Sequence, residues 1–403
     1  MGAKPRLTGA TPRALELYEQ ALWRFTCHRG GVLEAARSAS REAPGFVAAR
    51  QLEAWTLLCG RDPSGAEAAG WAYAAMQALP MSPRERAHTA AIAAVIDGDA
   101  QRACRVLDQA LAEDPHDLVA LAAGHAFDHL FGDADAQLAR TARVLGLWSP
   151  GRPGYHAVLS MHAFALEESG DYHRAEDAAR HALELEPHDI RAHHAVAHVL
   201  EMLGRPGEGV HWMAEREGYW NDAGASATHQ WWHLALFHLE RDETRQALGI
   251  YDRHIGVEPV AISELIDASA LLWRLALRGL DLGARWQALA ERWAPHATDA
   301  FCAFNDLHAM LAFAGARRID LALRLLGAQP RAAARPGATG EMSRMVGEPA
   351  CRAIHAFANG DFVSAERILR GLPPVASRIG GSHAQRDVLD LTRFAASTMR
   401  RAA

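Results

Sequence analysis

The stretch HHAVAHVLEM, residues 193–202, holds three histidines and a glutamate, and HQWWHLALFHLE, residues 229–240, holds three more histidines. Within them His194 and His198 are four residues apart, as are His229 and His233. On a helix that turns ~100° per residue, such a pair shares one face. Each pair can therefore offer two imidazole nitrogens to one ion. Four imidazoles suit a divalent first-row metal, zinc or another. Glu201, one turn beyond His198, fits either a further ligand or the general base acting on metal-bound water. The HExxH signature is absent, because Ala195 stands where its glutamate would be. H-x3-H pairs also arise by chance in a chain with 22 histidines. A metal-free cluster of groove-lining or acid–base histidines is the competing reading.

Two further stretches could do chemistry. FNDLHAMLAF, residues 304–313, opens a helix with Asn305, Asp306 and His308. Helix capping accounts for one of Asn305 and Asp306. Asp306 and His308 stay as catalytic candidates. GGSHAQRDVLD, residues 380–390, lacks the GK[ST] ending of a phosphate loop and follows no strand. Ser382 and Gln385 fit a capping box. Arg386 either pairs with Asp390 at i+4 or, with Asp387 beside it, holds an anionic group of a substrate. Trp232 is a candidate pocket wall, whereas Trp231 reads as packing. No Gly-x-Ser-x-Gly elbow is present.

Helices must position these groups. Apolar residues recur three and four apart, without the strict alternation of strands, so the chain is all-α. GDAQRACRVLDQALAEDPHD (98–117) and GDYHRAEDAARHALELEPHD (170–189) are copies of one helical unit. The turn positions Gly98, Gly132, Gly170, Gly204 and Asp242 are spaced by 34, 38, 34 and 38 residues. That period is the length of a tetratricopeptide unit. A single helical hairpin cannot bury its apolar face, and stacking builds one continuous core. The expected fold is a tetratricopeptide-like array of hairpins, curled into a superhelix with a concave groove or pocket. Residues 1–94 read as divergent hairpins, 95–260 as regular repeats and 261–403 as hairpins closing the array, all in one domain. A turn is expected at Gly315 and a Pro/Gly-rich loop at RAAARPGATGE, 331–341. Aligned on their turns, the first helices direct His194, His198, Glu201, His229 and Trp232 into the groove, with His233 at its border. His129 and Glu167 also fall on the groove face. His193 and His238 point to helix contacts.

The strings HAVAHVLEM, HQWWHLALFHLE, ALGIYDRHI, AFNDLHAMLAF and GGSHAQRDV occur in that order. By them the chain, from about residue 12 to about residue 395, resembles the tetratricopeptide repeat protein 38 family. The resemblance implies an all-α repeat fold and a soluble protein. It lends no activity, and it counts the Asp306–His308 string among the family's motifs.

Composition narrows the classes. The chain has 403 residues, 49% of them hydrophobic, and a net charge of -6, so there is no basic field for nucleic acid or anionic lipid. Lys4 is the sole lysine, which argues against the Lys/Asn clamp that holds acidic peptide tails. No apolar leader and no run of ~18 apolar residues is visible. Arg6 stands where myristoylation prefers Ser or Thr. Five scattered cysteines without a CxxC pair point to a reduced, cytoplasmic setting. The leading expectation is an enzyme acting on a small polar substrate by metal-assisted or acid–base chemistry. The alternative is a tetratricopeptide scaffold binding a peptide or protein partner in its groove. A repeat protein whose histidines sense pH is a third option.

Overall fold

One recurring dipeptide ends a helix and starts the next. In Gly98-Asp99, Gly170-Asp171 and Gly360-Asp361 the glycine takes φ of +83°, +83° and +79°, the left-handed region that only glycine enters cheaply. The aspartate then caps the following helix, accepting the backbone N–H of Arg102 at 2.9 Å, Arg174 at 3.4 Å and Ser364 at 3.0 Å. The same left-handed turn recurs at Gly132, Gly204, Asp242, Gly279 and Arg317. The turn series thus continues past Asp242 to Gly360.

The structure is a computed structural model that describes residues 7–402; Lys4 and Arg6 lie outside them. It is all-helical, with no strand among the described residues. No described helix is long and apolar enough to cross a membrane, and the five cysteines are free thiols.

The chain divides into two compact units. The first comprises the described part of Met1–Asp128, with Ala134–Val196 and Tyr219–Ser226. Its helices pair as hairpins, among them Pro12–Thr26 with Val32–Glu42, Pro83–Ile96 with Ala100–Glu113, and Tyr155–Glu168 with Tyr172–Leu185. Alanines at the crossing points, such as Ala14, Ala21, Ala36 and Ala39, let the first pair approach closely and bury its apolar faces. Each Pro-His-Asp corner is fixed by its aspartate. Asp117 caps the next helix through Ala120 N–H at 3.1 Å and also binds His88 at 2.8 Å. Asp189 does the same with Ala192 N–H at 3.2 Å and His156 at 2.9 Å.

The second unit comprises His129–Asp133, Ala197–Gly218 and the described part of Ala227–Ala403. Helix Ile262–Leu277 packs on Ala303–Gly315 and on Val388–Ala402, and Ala303–Gly315 packs on Glu348–Ala358. Two sequence expectations change here. Gly315 ends its helix, and the left-handed turn falls on Arg317. Gly315 is needed for another reason: a Cβ there would come within 2.4 Å of the Trp286 indole. The 331–341 loop shrinks to a short break. Helix Ile319–Ala333 runs through the alanine-rich start, and Pro336, in an extended conformation, caps helix Gly337–Met342.

The cap has a measurable weight. Asp171→Ala is expected to lower unfolding stability by about 1 kcal/mol. Urea denaturation of the variant against the parent chain measures it.

Candidate metal centre

Helix Ile190–Met202 carries His194, His198 and Glu201, and helix Ala225–Glu240 carries His229 and His233. Helical spacing puts the histidines of each pair one turn apart on a common face. One ring nitrogen from each of His194, His198, His229 and His233 lies within 4.8 Å of the others. Four nitrogens bound tetrahedrally at ~2.0–2.1 Å from zinc would stand about 3.4 Å apart, so the set needs only a small contraction to close on an ion. His198 and His233 are buried, and His194 and His229 half-buried. The His198 and His233 rings lie 4.6 Å apart, and those of His229 and His233 4.8 Å. Phe164 stacks on His194 at 5.3 Å.

Carboxylates hold two of the rings from behind. His229 Nδ1 donates to both oxygens of Asp267, at 2.9 and 3.0 Å. His233 Nδ1 donates to Glu201 Oε2 at 3.2 Å. With the proton on Nδ1, each ring keeps a lone pair on Nε2, the state in which imidazole binds a metal or accepts a proton. Burial holds the His233 pKa well below the ordinary histidine value, and the neighbouring His198, His229 and Arg274 push the same way. His233 is therefore neutral near pH 7. Burial raises the Asp267 carboxyl, while its bond to His229 opposes the rise.

Trp232 is 0% exposed, so it is not an open pocket wall. It packs face to face on His229, with ring centroids 5.3 Å apart and planes 10° from parallel. Arg274 lies over the Trp232 ring at 5.2 Å. That arginine is buried and donates to its own helix at Ala270 O (2.9 Å), to Ala384 O (2.7 Å) and to the Asp387 carboxylate. Asp387 is thus joined to the histidines through Arg274 and Trp232, as an anchor of the arginine. Asp390 takes Arg393, and Arg386 donates to the Gly381 carbonyl. Gln385 Oε1 accepts the Ser382 N–H at 3.1 Å, one half of the expected capping box.

The remaining candidates lie in other settings. Neither Asn305 nor Asp306 caps helix Ala303–Gly315, whose N-cap is Cys302. Asp306 is buried and accepts from Gln329 at 2.8 Å, and the His308 Nδ1 donates to the Phe304 carbonyl at 2.8 Å. Asp306 does not touch the histidine cluster. His193 is buried and bonded to Pro187 O at 2.8 Å. His238, expected at a helix contact, is half-exposed and bonded to Glu243 at 2.6 Å. Trp231 stacks on His254 at 3.7 Å.

Asp267 and Arg274 were missed in the sequence. Asp267 lies 38 residues after His229, the same step that separates the turns at Gly204 and Asp242. Carrying the register one unit further, to the turn at Gly279, would have placed it one position beside that of His229. A second grouping within the same span, Cys27, His156 and Asp189, belongs to the first unit. Its Asp–His pair repeats the Asp117–His88 corner, which has a structural role.

No protein-family model matches the chain.

Asp306 generates a pH prediction. Burial pushes its carboxyl up to about 6, and the Gln329 bond only partly offsets this. The folded state therefore holds its proton more tightly than the unfolded chain. The stability tied to that proton is complete below pH ~4 and is lost as pH rises through about 6. Asp306→Asn removes the titration and can keep Gln329 as donor. At pH 8 the variant is expected to be more stable by about 3 kcal/mol, and the gain should vanish near pH 4. Urea unfolding across this range measures the difference.

Proposed function

We propose that the protein is an enzyme acting on a small polar substrate at a divalent first-row metal, held by His198, His229 and His233 with His194 as fourth nitrogen donor. An all-imidazole set suits zinc, and also other first-row ions such as copper or nickel. One observation carries this reading: the Asp267 and Glu201 carboxylates accept from Nδ1 of His229 and His233, which makes Nε2 the lone-pair nitrogen of each ring. This carboxylate–histidine pairing fixes ring orientation and tautomer, and it raises ligand basicity.

A bound ion would supply a Lewis acid and would lower the pKa of a water taken as a fifth ligand or in place of His194, the fourth donor. The chain's own residues orient and shield it. Glu201 acts behind His233, so its role becomes positioning, in place of the general base expected from the sequence. Trp232 keeps the His229 ring in plane, and Arg274 fixes Trp232 against the segment that ends at Asp387. His194 and His229 are the less buried pair, so substrate approaches past them.

Protein purified without metal-affinity steps should carry a stoichiometric first-row metal by elemental analysis. His198→Ala and His233→Ala should lose it. Asp267→Asn should weaken metal affinity ~10–100-fold while retaining the ligands. Removal of the ion by a chelator should lower the thermal midpoint, and zinc should restore it. Metal-free protein whose midpoint responds to neither zinc nor chelator contradicts the proposal.

A further inference from the structure

Buried arginines in the first unit have acids beside them, with one exception. Arg140 is held by Asp128 at 2.7 and 3.0 Å and by Asp108 at 2.8 Å. Arg84, largely buried, takes Asp117 through Nε and Nη2, both at 2.7 Å. Arg191 is 6% exposed and makes no ion pair among the described residues. Its guanidinium reaches two imidazoles, with Nη2 2.6 Å from His28 Nε2 and Nη1 3.4 Å from His125 Nδ1. Its Nε is buried without a hydrogen-bond partner.

The imidazoles do not neutralise it. His125 Nε2 faces the Met161 carbonyl at 3.0 Å and so carries the ring proton, leaving Nδ1 as a neutral acceptor. His28 Nε2 also accepts from the guanidinium, which requires its lone pair. The nearest acid in sequence, Asp189, is committed to Ala192 N–H and His156. Burial pulls the Arg191 pKa below the ordinary arginine value, against attraction from Asp189, Cys27 and Cys59. Arg191 also stands in the first turn of helix Ile190–Met202, where the backbone dipole is already positive. A buried cation with no direct ion pair, at the positive end of a helix and only partly offset by Asp189, is unfavourable, and an anion would complete it.

We propose that Arg191, together with His28 and the first turn of helix Ile190–Met202, is a receptor for an oxyanion, the carboxylate or phosphate group of a small molecule. Nε, which has no hydrogen-bond partner, is the donor offered to the ligand, beside Nη2, which already meets His28. Arg191, His194 and His198 follow at i, i+3 and i+7 along one helix face. If the metal reading holds, the oxyanion is the anchor of that centre's substrate, bound roughly 5–10 Å along the helix from the reacting atoms.

The test titrates the full chain with inorganic phosphate and with acetate at constant ionic strength, reading calorimetric binding and the thermal midpoint. At least one probe should bind and raise the midpoint, and the tighter one identifies the oxyanion class. R191Q removes an unfavourable buried charge, so it should fold with a midpoint at or above the parent's and bind the probe at least ~10-fold more weakly. H28E places a carboxylate beside Nη2; it should raise the midpoint without added anion and abolish the response. Failure of both probes to bind the parent chain, or unchanged binding by R191Q, overturns the receptor. Metal content is read separately on the same samples. Anion binding in a metal-free protein retains the receptor and removes the metal reading, and bound metal without anion binding does the reverse.

Discussion

A buried imidazole must give its N–H to something, and the receiver decides what the other nitrogen can do. Here Asp267 accepts the Nδ1–H of His229 and Glu201 accepts that of His233. Both rings are thereby fixed in rotation and tautomer, with Nε2 as a lone-pair donor. Unsupported, two such rings packed at 4.8 Å would bring desolvation cost and no function. The carboxylates make the histidine cluster specific, and the positions of Trp232, Arg274 and Asp387 follow from keeping His229 in place.

That arrangement depends on where hairpins begin and end. The left-handed glycine and the capping aspartate after it set the start of helices Ala100–Glu113, Tyr172–Leu185 and Phe362–Arg370, and Asp189 caps helix Ile190–Met202, which carries His194 and His198. A slip of one residue would rotate a helix by ~100° and carry His198 or His229 off the shared face. Local chemistry at a helix start, here the buried Asp189, therefore bears on the geometry of the histidine centre.

The parts legible in the sequence are those with local causes. Gly-Asp steps announced the hairpins, and the four-residue spacing of His194–His198 and His229–His233 announced the shared faces. Glu201 was legible as a neighbour but not in its role, because spacing along one helix does not show that His233 of another helix reaches it. Asp267 and Arg274 lie on a helix whose turn, at Gly279, lacks the Gly-Asp signature, so the register was not carried to them. Trp232 was placed on the groove face by register, yet its bulk fills the space between His229 and Arg274 and is fully enclosed. Asp306 reads from the sequence as a catalytic candidate, with capping left to one of Asn305 and Asp306, whereas its partner is Gln329 on helix Ile319–Ala333. Arg191 drew no notice because the absence of an acid beside an arginine is a property of packing.

The central claim is that His229 and His233 present Nε2, with His194 and His198, to one ion. Its most direct measurement is the X-ray absorption spectrum, at the zinc edge, of the full-length protein loaded with zinc. The account predicts an all-nitrogen/oxygen shell at ~2.0–2.1 Å with imidazole outer-shell scattering that falls in His233→Ala. A shell with sulfur at ~2.3 Å, or one unchanged by His233→Ala, would contradict it.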